Sequence, residues 1–311
     1  MSYSDNYRDE KELVNIIIGL TFPRAGFPHP FYDLDYEVKA LEQSFVNTDG
    51  NTVKPDLIIA SKQRGYLIIF EAKSGKNADE NQLENYRNIN KSDIINNAGF
   101  QKVYLEKGFD ISYLCYQNTY IEEEKIAAFK NLIKSIKGHY QFAVLKYNKE
   151  NGYLSVELNK FKDNKINSLT ENIIKIPKNR IPKFINFDQH STVKELVPVA
   201  VQNIISYILE DKLEFTLEEL TNDLLSPYPG VEDLIGSETK RAIKNKLKTV
   251  MSRLNDKKPE YFSWKNEQKY WEITDNLSEP NYNQLNALRN LIGEKAKNAE
   301  GQMSIFDNWI S

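Results

Sequence analysis

The sequence predicts an α/β domain followed by a smaller, mostly helical one. Two observations carry this. Up to about residue 188, apolar runs of strand character alternate with stretches of helical periodicity. Beyond FINFDQH, three helical stretches and one hairpin follow in close succession. The chain has 311 residues, 40% of them hydrophobic and 27% charged, enough to bury a core in each of two domains. The expected boundaries are 1–188, 189–278 and a C-terminal segment at 279–311.

Residues 5–20 place Leu13, Ile16, Ile17 and Leu20 on one helical face, with Ser4 as the expected cap. TFPRAGFPHP breaks that pattern with prolines and a glycine. A strand series follows: YEVKALEQSFV, DLIIA and YLIIFEAK. A helix is expected at about 79–90 and a further strand at ISYLCYQ. IEEEKIAAFKNLIKSIKG reads as an amphipathic helix whose acidic start, Glu122 to Glu124, suits the helix dipole. FAVLKYNKENGYLSVEL reads as a hairpin turned at Asn151-Gly152.

Several classes are excluded at this level. The single cysteine, Cys115, precludes an intramolecular disulfide and sits in an apolar run, where a small buried hydrophobe is expected. The polar, acidic start MSYSDNYRDE is unlike a secretory signal, and apolar runs such as Ile16–Ile18 fall far short of the ~20 residues that span a bilayer. A cytoplasmic protein is expected. His29, His139 and His190 stand apart, which argues against zinc, and no phosphate-binding loop is present. Net charge is only −3, so a nucleic-acid partner would need a local basic surface.

The stretch KPDLIIASKQRGYLIIFEAKSGK carries the chemistry. Its two apolar strands bear charges only at their ends. If the turn centres between Gln63 and Arg64, Asp56 faces Glu71 across an antiparallel ribbon, and directly opposed residues share a face. Side chains alternate, so Glu71 and Lys73 share that face and Ala72 points to the other. Two carboxylates held together repel, and a hard divalent cation, Mg²⁺ or Mn²⁺, is the natural relief. A lysine beside them can orient or activate a water, or stabilise charge developing on a phosphate. This is the chemistry of phosphodiester hydrolysis.

Pro55-Asp56, fourteen intervening residues, then Glu71-Ala72-Lys73 resembles the PD-(D/E)XK nuclease superfamily. Gln82 and Tyr86 in NQLENYRN are similar to the Q-x-x-x-Y motif of its RecB-like branch; a spacing of four puts both on one helix face, within reach of the site or of the strand being cut. The resemblance covers roughly residues 5–120. It implies a restriction-endonuclease-like mixed sheet flanked by helices, and Mg²⁺-dependent cleavage of DNA or, less often, RNA. Asp56, Glu71 and Ala72 become the metal-holding positions, with Lys73 assisting the attacking water. The family also draws an acid from its first helix. Glu10 and Glu12 are the candidates, Glu12 preferred, and Glu37 is a rival. The alternative function is a DNA-binding regulator or assembly subunit whose nuclease fold no longer cuts.

In the second domain, LVPVAVQNIISYILEDK, FTLEELTNDLL and SETKRAIKNKLKTVMSRLN read as helices and YFSWKNEQKYWEIT as a hairpin, the make-up of a winged helix-turn-helix. Thr216 and Glu219 match a capping box. The third helix buries Ile243, Leu247, Val250, Met251 and Leu254 and shows Lys240, Arg241, Lys244 and Lys248 on the other side. Lys265 and Lys269 lie near the hairpin tip, so DNA is the expected partner. The tail ends in an abrupt apolar stretch, GQMSIFDNWIS, expected to dock on its own protein, in a homodimer, or elsewhere. Gln302 to Phe306 is similar to the short peptide by which repair and replication proteins hold the bacterial sliding clamp.

Overall fold

A computed structural model describes residues 3–73, 80–116, 142–158, 160–170 and 173–278. The helix expected around Glu122 to Glu124 and the whole tail, including Gln302 to Phe306, lie outside the described residues. The chain divides into two compact units: Met1–Phe184 with Asp233–Glu238, and Ile185–Glu232 with Thr239–Ser311.

The first unit opens with helix α1 (Tyr3–Leu20), which begins before Ser4, so that residue lies inside the helix rather than at its cap. Leu13, Ile16, Ile17 and Leu20 are fully buried as their spacing predicts, and Val14, Asn15 and Ile18 are buried too. A helix buried on every side belongs to the core, and this one packs on the sheet. A short turn of helix, α2 (Pro30–Asp33), leads into β1 (Glu37–Leu41). The expected strand at 36–46 is therefore broken. Glu42 takes a left-handed backbone at φ 48°, and the chain re-enters extended structure as a separate ribbon of β2 (Phe45–Val46) and β3 (Thr52–Val53).

Strands β4 (Leu57–Ser61) and β5 (Tyr66–Lys73) form the antiparallel hairpin, paired from Leu57↔Phe70 to Ser61↔Tyr66. This is the register in which the turn centres between Gln63 and Arg64. Gly65 closes the turn at φ 62°, where a side chain would be strained. Helix α3 (Glu80–Arg87) then crosses to β6 (Gly108–Tyr116), which lies parallel to β5. Next come β7 (Phe142–Asn148) and β8 (Tyr153–Leu158), the expected hairpin, with Gly152 at φ 68° in its turn. Helix α4 (Asn164–Thr170) and the short β9 (Ile174–Lys175) follow.

The sheet has seven strands in the order β1-β4-β5-β6-β7-β8-β9. β5, β6 and β7 run parallel and the remaining pairs are antiparallel, so the fold is α/β with a large mixed sheet flanked by helices. β4 and β6 are buried at every position, which explains their unbroken apolar character. Cys115 is buried in β6, with its thiol 3.7 Å from the Leu145 carbonyl.

The second unit contains α5 (Val193–Leu209) and α6 (Leu217–Leu225), each opened by a complete capping box, Thr192 with Glu195 and Thr216 with Glu219. Most of α7 (Ser237–Lys257) belongs to this unit. Three short strands, β10 (Glu214–Phe215), β11 (Phe262–Lys265) and β12 (Tyr270–Ile273), form a sheet in the order β10-β12-β11. The last described turn of helix is α8 (Asp275–Ser278).

Candidate active site

The charged end of the β4–β5 hairpin gathers around Glu71. Asp56 sits one residue before β4, and its Oδ2 accepts the Ala72 backbone N–H at 2.7 Å. That bond ties the two strand ends together in the register that sets Asp56 opposite Glu71. Glu71 is only 2% exposed. Its Oε1 takes the Lys73 ammonium at 2.6 Å and the Gln82 amide at 2.5 Å, while its Oε2 accepts the Tyr86 hydroxyl at 2.5 Å. Gln82 and Tyr86 stand four apart on α3, so one helix face delivers both donors to one carboxylate. Ala72 turns its methyl into the opposite face, where it is buried.

Residues 9–185 match the MJECL32 domain family, more than half of the chain. The chain belongs to the MJECL32 domain family. The match spans every residue of the cluster around Glu71. The chain is 30% identical over 134 residues to the "Uncharacterized protein MJECL32" of Methanocaldococcus jannaschii, covering 37% of this chain and 30% of that relative. The chain thus spans under a third of that relative's length. No solved structure matches.

The electrostatics of this MJECL32 domain follow from the crowding of its carboxylates. Burial, then the Glu71 charge, raises the Asp56 carboxyl well above its ordinary range; Lys73 and the Ala72 N–H act against them, and Glu42 adds to the rise. For Lys73, burial disfavours the ammonium, but Glu71 and Asp56 outweigh it and the pKa is pushed up to about 12. Lys73 is therefore a fixed positive charge at any working pH. It can stabilise developing negative charge and orient a water, but it holds no free lone pair with which to take a proton. Tyr86 is raised well above its usual value by burial and then by Glu71, so its hydroxyl stays protonated and donating.

The donor set suits a hard divalent cation in type, since Asp56 and Glu71 bring carboxylate oxygens to one end of the ribbon. Asp56 is half-buried and so retains an opening to solvent. Among the described residues there is no group of three or more His, Cys, Asp or Glu side chains that could hold a metal ion. Two carboxylates match the usual Mg²⁺ arrangement, in which water and substrate phosphate complete the shell.

Of the first-helix acids, Glu12 is drawn to Lys149 at 3.0 Å, whereas it is the Glu10 charge that acts on Lys73. The two acids stand two positions apart, about 200° of helix, so each meets different partners. Glu37 pairs with Lys39 and the Tyr104 hydroxyl. Tyr86, fully buried, is in no position to meet a substrate strand; it holds Glu71 instead. Glu42 is the residue the sequence did not single out. Its N–H donates to the Asp56 carbonyl at 3.1 Å and its carboxylate meets Lys54 at 3.3 Å. A left-handed non-glycine leaves no mark in a single sequence, so no signal pointed to it.

In the second unit, Arg241 and Lys248 on α7 are exposed, while Lys240 and Lys244 are half-buried. Lys244 is held by Glu218 at 2.5 Å. Lys265 pairs with Glu272 across the β11–β12 hairpin at 2.8 Å, and Lys269 is exposed in the turn at φ 58°. The basic surface is consequently narrower than a count of cations suggests. No described helix is long and apolar enough to cross a membrane.

Proposed function

We propose that this chain is a Mg²⁺-dependent nuclease that hydrolyses phosphodiester bonds of DNA, its first unit of PD-(D/E)XK type and its second a winged helix. The observation that carries the reading is the convergence of Asp56, Glu71 and Lys73 at one end of the β4–β5 ribbon. Asp56 and Glu71 would hold the cation, which would relieve their mutual repulsion and supply Lewis-acid polarisation of a phosphate oxygen. Lys73 offers a permanent ammonium to charge developing on the phosphate. Gln82 and Tyr86 fix the Glu71 carboxylate so that it does not reorganise as charge moves. The winged-helix reading is supported by three helices and a three-stranded sheet containing the β11–β12 hairpin, with exposed Arg241, Lys248 and Lys269. Such enzymes serve restriction, host defence and repair.

The test is incubation of the full chain with duplex DNA, single-stranded DNA and RNA, each with Mg²⁺, Mn²⁺ or chelator. Cleavage of DNA that needs either metal is expected. A chain that binds DNA but cuts nothing under any of these conditions is instead the non-catalytic DNA-binding subunit.

A further inference from the structure

Glu42 takes a left-handed backbone at φ 48°, a costly conformation for a residue with a Cβ. Asp35, Asp211 and Lys269 share it, but Asp35 accepts from Ser61 at the far end of β4 and the other two lie in the second unit. Of these four, Glu42 is the one bonded to Asp56. Its chain neighbours hold it there. The Gly236 N–H donates to the Leu41 carbonyl at 2.7 Å, and Ile235 forms a parallel bridge with Leu41. On the other side, the Gln43 amide donates to the Ala98 carbonyl at 3.0 Å and the Ser44 hydroxyl to Glu238 at 2.8 Å. Gly236 passes so close that a Cβ on it would stand 2.2 Å from the Glu42 carbonyl oxygen. Backbone strain of this kind persists only where surrounding contacts over-determine it, and it gathers at functional sites.

The strained turn delivers a grip on the segment that carries Asp56. The Glu42 N–H donates to the Asp56 carbonyl at 3.1 Å, and the Glu42 carboxylate meets the Lys54 ammonium, two residues earlier, at 3.3 Å. The Glu42 and Lys54 side chains are 14% and 19% exposed, so this pair is shielded from the water and salt that weaken surface pairs. One residue thus fixes Asp56 through its backbone and Lys54 through its side chain. Glu42 also adds negative charge beside the carboxylates, raising the Asp56 carboxyl after burial and Glu71 have done so. A doubly charged cation gains twice as much from such a potential as a proton does.

We propose that Glu42 is a positioning residue of the candidate metal site: it clamps the Lys54–Asp56 segment, sets the Asp56 carboxylate at the ribbon end, and so governs how tightly a divalent cation is held. This rests on the metal-dependent reading above. Glu42 touches neither cation nor substrate in this role; it acts through Asp56.

The experiment is calorimetric titration of Mn²⁺ into the full chain at fixed pH, for the native protein, Glu42→Gly, Glu42→Gln and Glu71→Gln, with thermal unfolding of each. Glycine adopts a left-handed backbone freely and keeps the N–H to Asp56, so Glu42→Gly should melt close to the native chain while losing the carboxylate. Glu42→Gln keeps the side-chain length and removes only the charge, and it decides the matter should the glycine variant fail to fold. Each should bind Mn²⁺ more weakly by on the order of tenfold, the usual scale for a contact that orients a metal ligand. Glu71→Gln should abolish binding. Native affinity in both Glu42 variants, with binding lost in Glu71→Gln, overturns the inference and leaves the nuclease reading standing. Absence of Mn²⁺ binding by the native chain, or binding that Glu71→Gln leaves unchanged, overturns both.

Discussion

Tyr86 donates its hydroxyl to Glu71 Oε2 from a position with no solvent exposure at all, and Glu71 itself is 2% exposed. The bond is thus an interior one, and its loss leaves a carboxylate oxygen facing an apolar ring. Tyr86→Phe should lower stability by about 1–3 kcal/mol, because a buried acceptor is left unsatisfied. Denaturant unfolding checks this. Unchanged stability combined with weakened DNA binding would instead place Tyr86 on the substrate.

Asp56 gives a pH signature of definite sign. Its folded pKa is raised above the ordinary 3.8. Below 3.8 the carboxyl is protonated whether the chain is folded or not, and Asp56 costs nothing. As pH rises toward the folded value, the unfolded chain releases the proton while the folded chain retains it, so stability is progressively lost across that window. Asp56→Asn keeps an oxygen for the Ala72 N–H and removes the charge. It should therefore raise the melting temperature of the metal-free protein at pH 7 by a few degrees, on the order of 1 kcal/mol. The gap to the native chain should close as pH falls toward 4. A gap that widens on acidification would contradict the account.

Gly152 turns the β7–β8 hairpin at φ 68°, and a Cβ placed there would stand 2.4 Å from the Ile176 carbonyl oxygen. Gly152→Ala combines a left-handed backbone with a collision against backbone, so a loss of roughly 1–3 kcal/mol is expected. Thermal unfolding of the variant measures it, and a neutral result would mean the turn adopts another form.

A single sequence displays contacts made close along the chain and hides those made by tertiary packing. The β4–β5 register was legible because two apolar runs flank a short turn ending in Gly65, and a slip of one residue would turn Glu71 and Lys73 to the wrong face. The capping box at Thr216 was legible because it is a contact three residues long. The break at Glu42 was not, since its cause is tertiary: the Glu42 N–H bonds to the Asp56 carbonyl, and Gly236 lies so close that a Cβ there would be 2.2 Å from the Glu42 carbonyl oxygen. Glu10 and Glu12 could not be separated either, because both fit the helix and only their partners distinguish them. Charge counting over α7 found the cations but could not show that Glu218 occupies Lys244.

Lys73 offers a chemical test of its environment. With the pKa pushed up to about 12, its amine should remain protonated at pH 9 and react slowly with acylating reagents. Exposed Lys248 should react far faster. Mass spectrometry of partially acetylated protein reports both rates, and equal labelling would show that Lys73 is not held between the carboxylates.

The most direct measurement of the central claim is cleavage of duplex DNA by the native chain, Glu71→Gln and Lys73→Ala side by side, in Mg²⁺ and in chelator. The native chain should cut only with the metal, and each variant should lose activity by on the order of 10²-fold or more, with DNA binding retained. Equal cutting by the native chain and both variants, or cutting by the native chain that persists in chelator, would contradict the account.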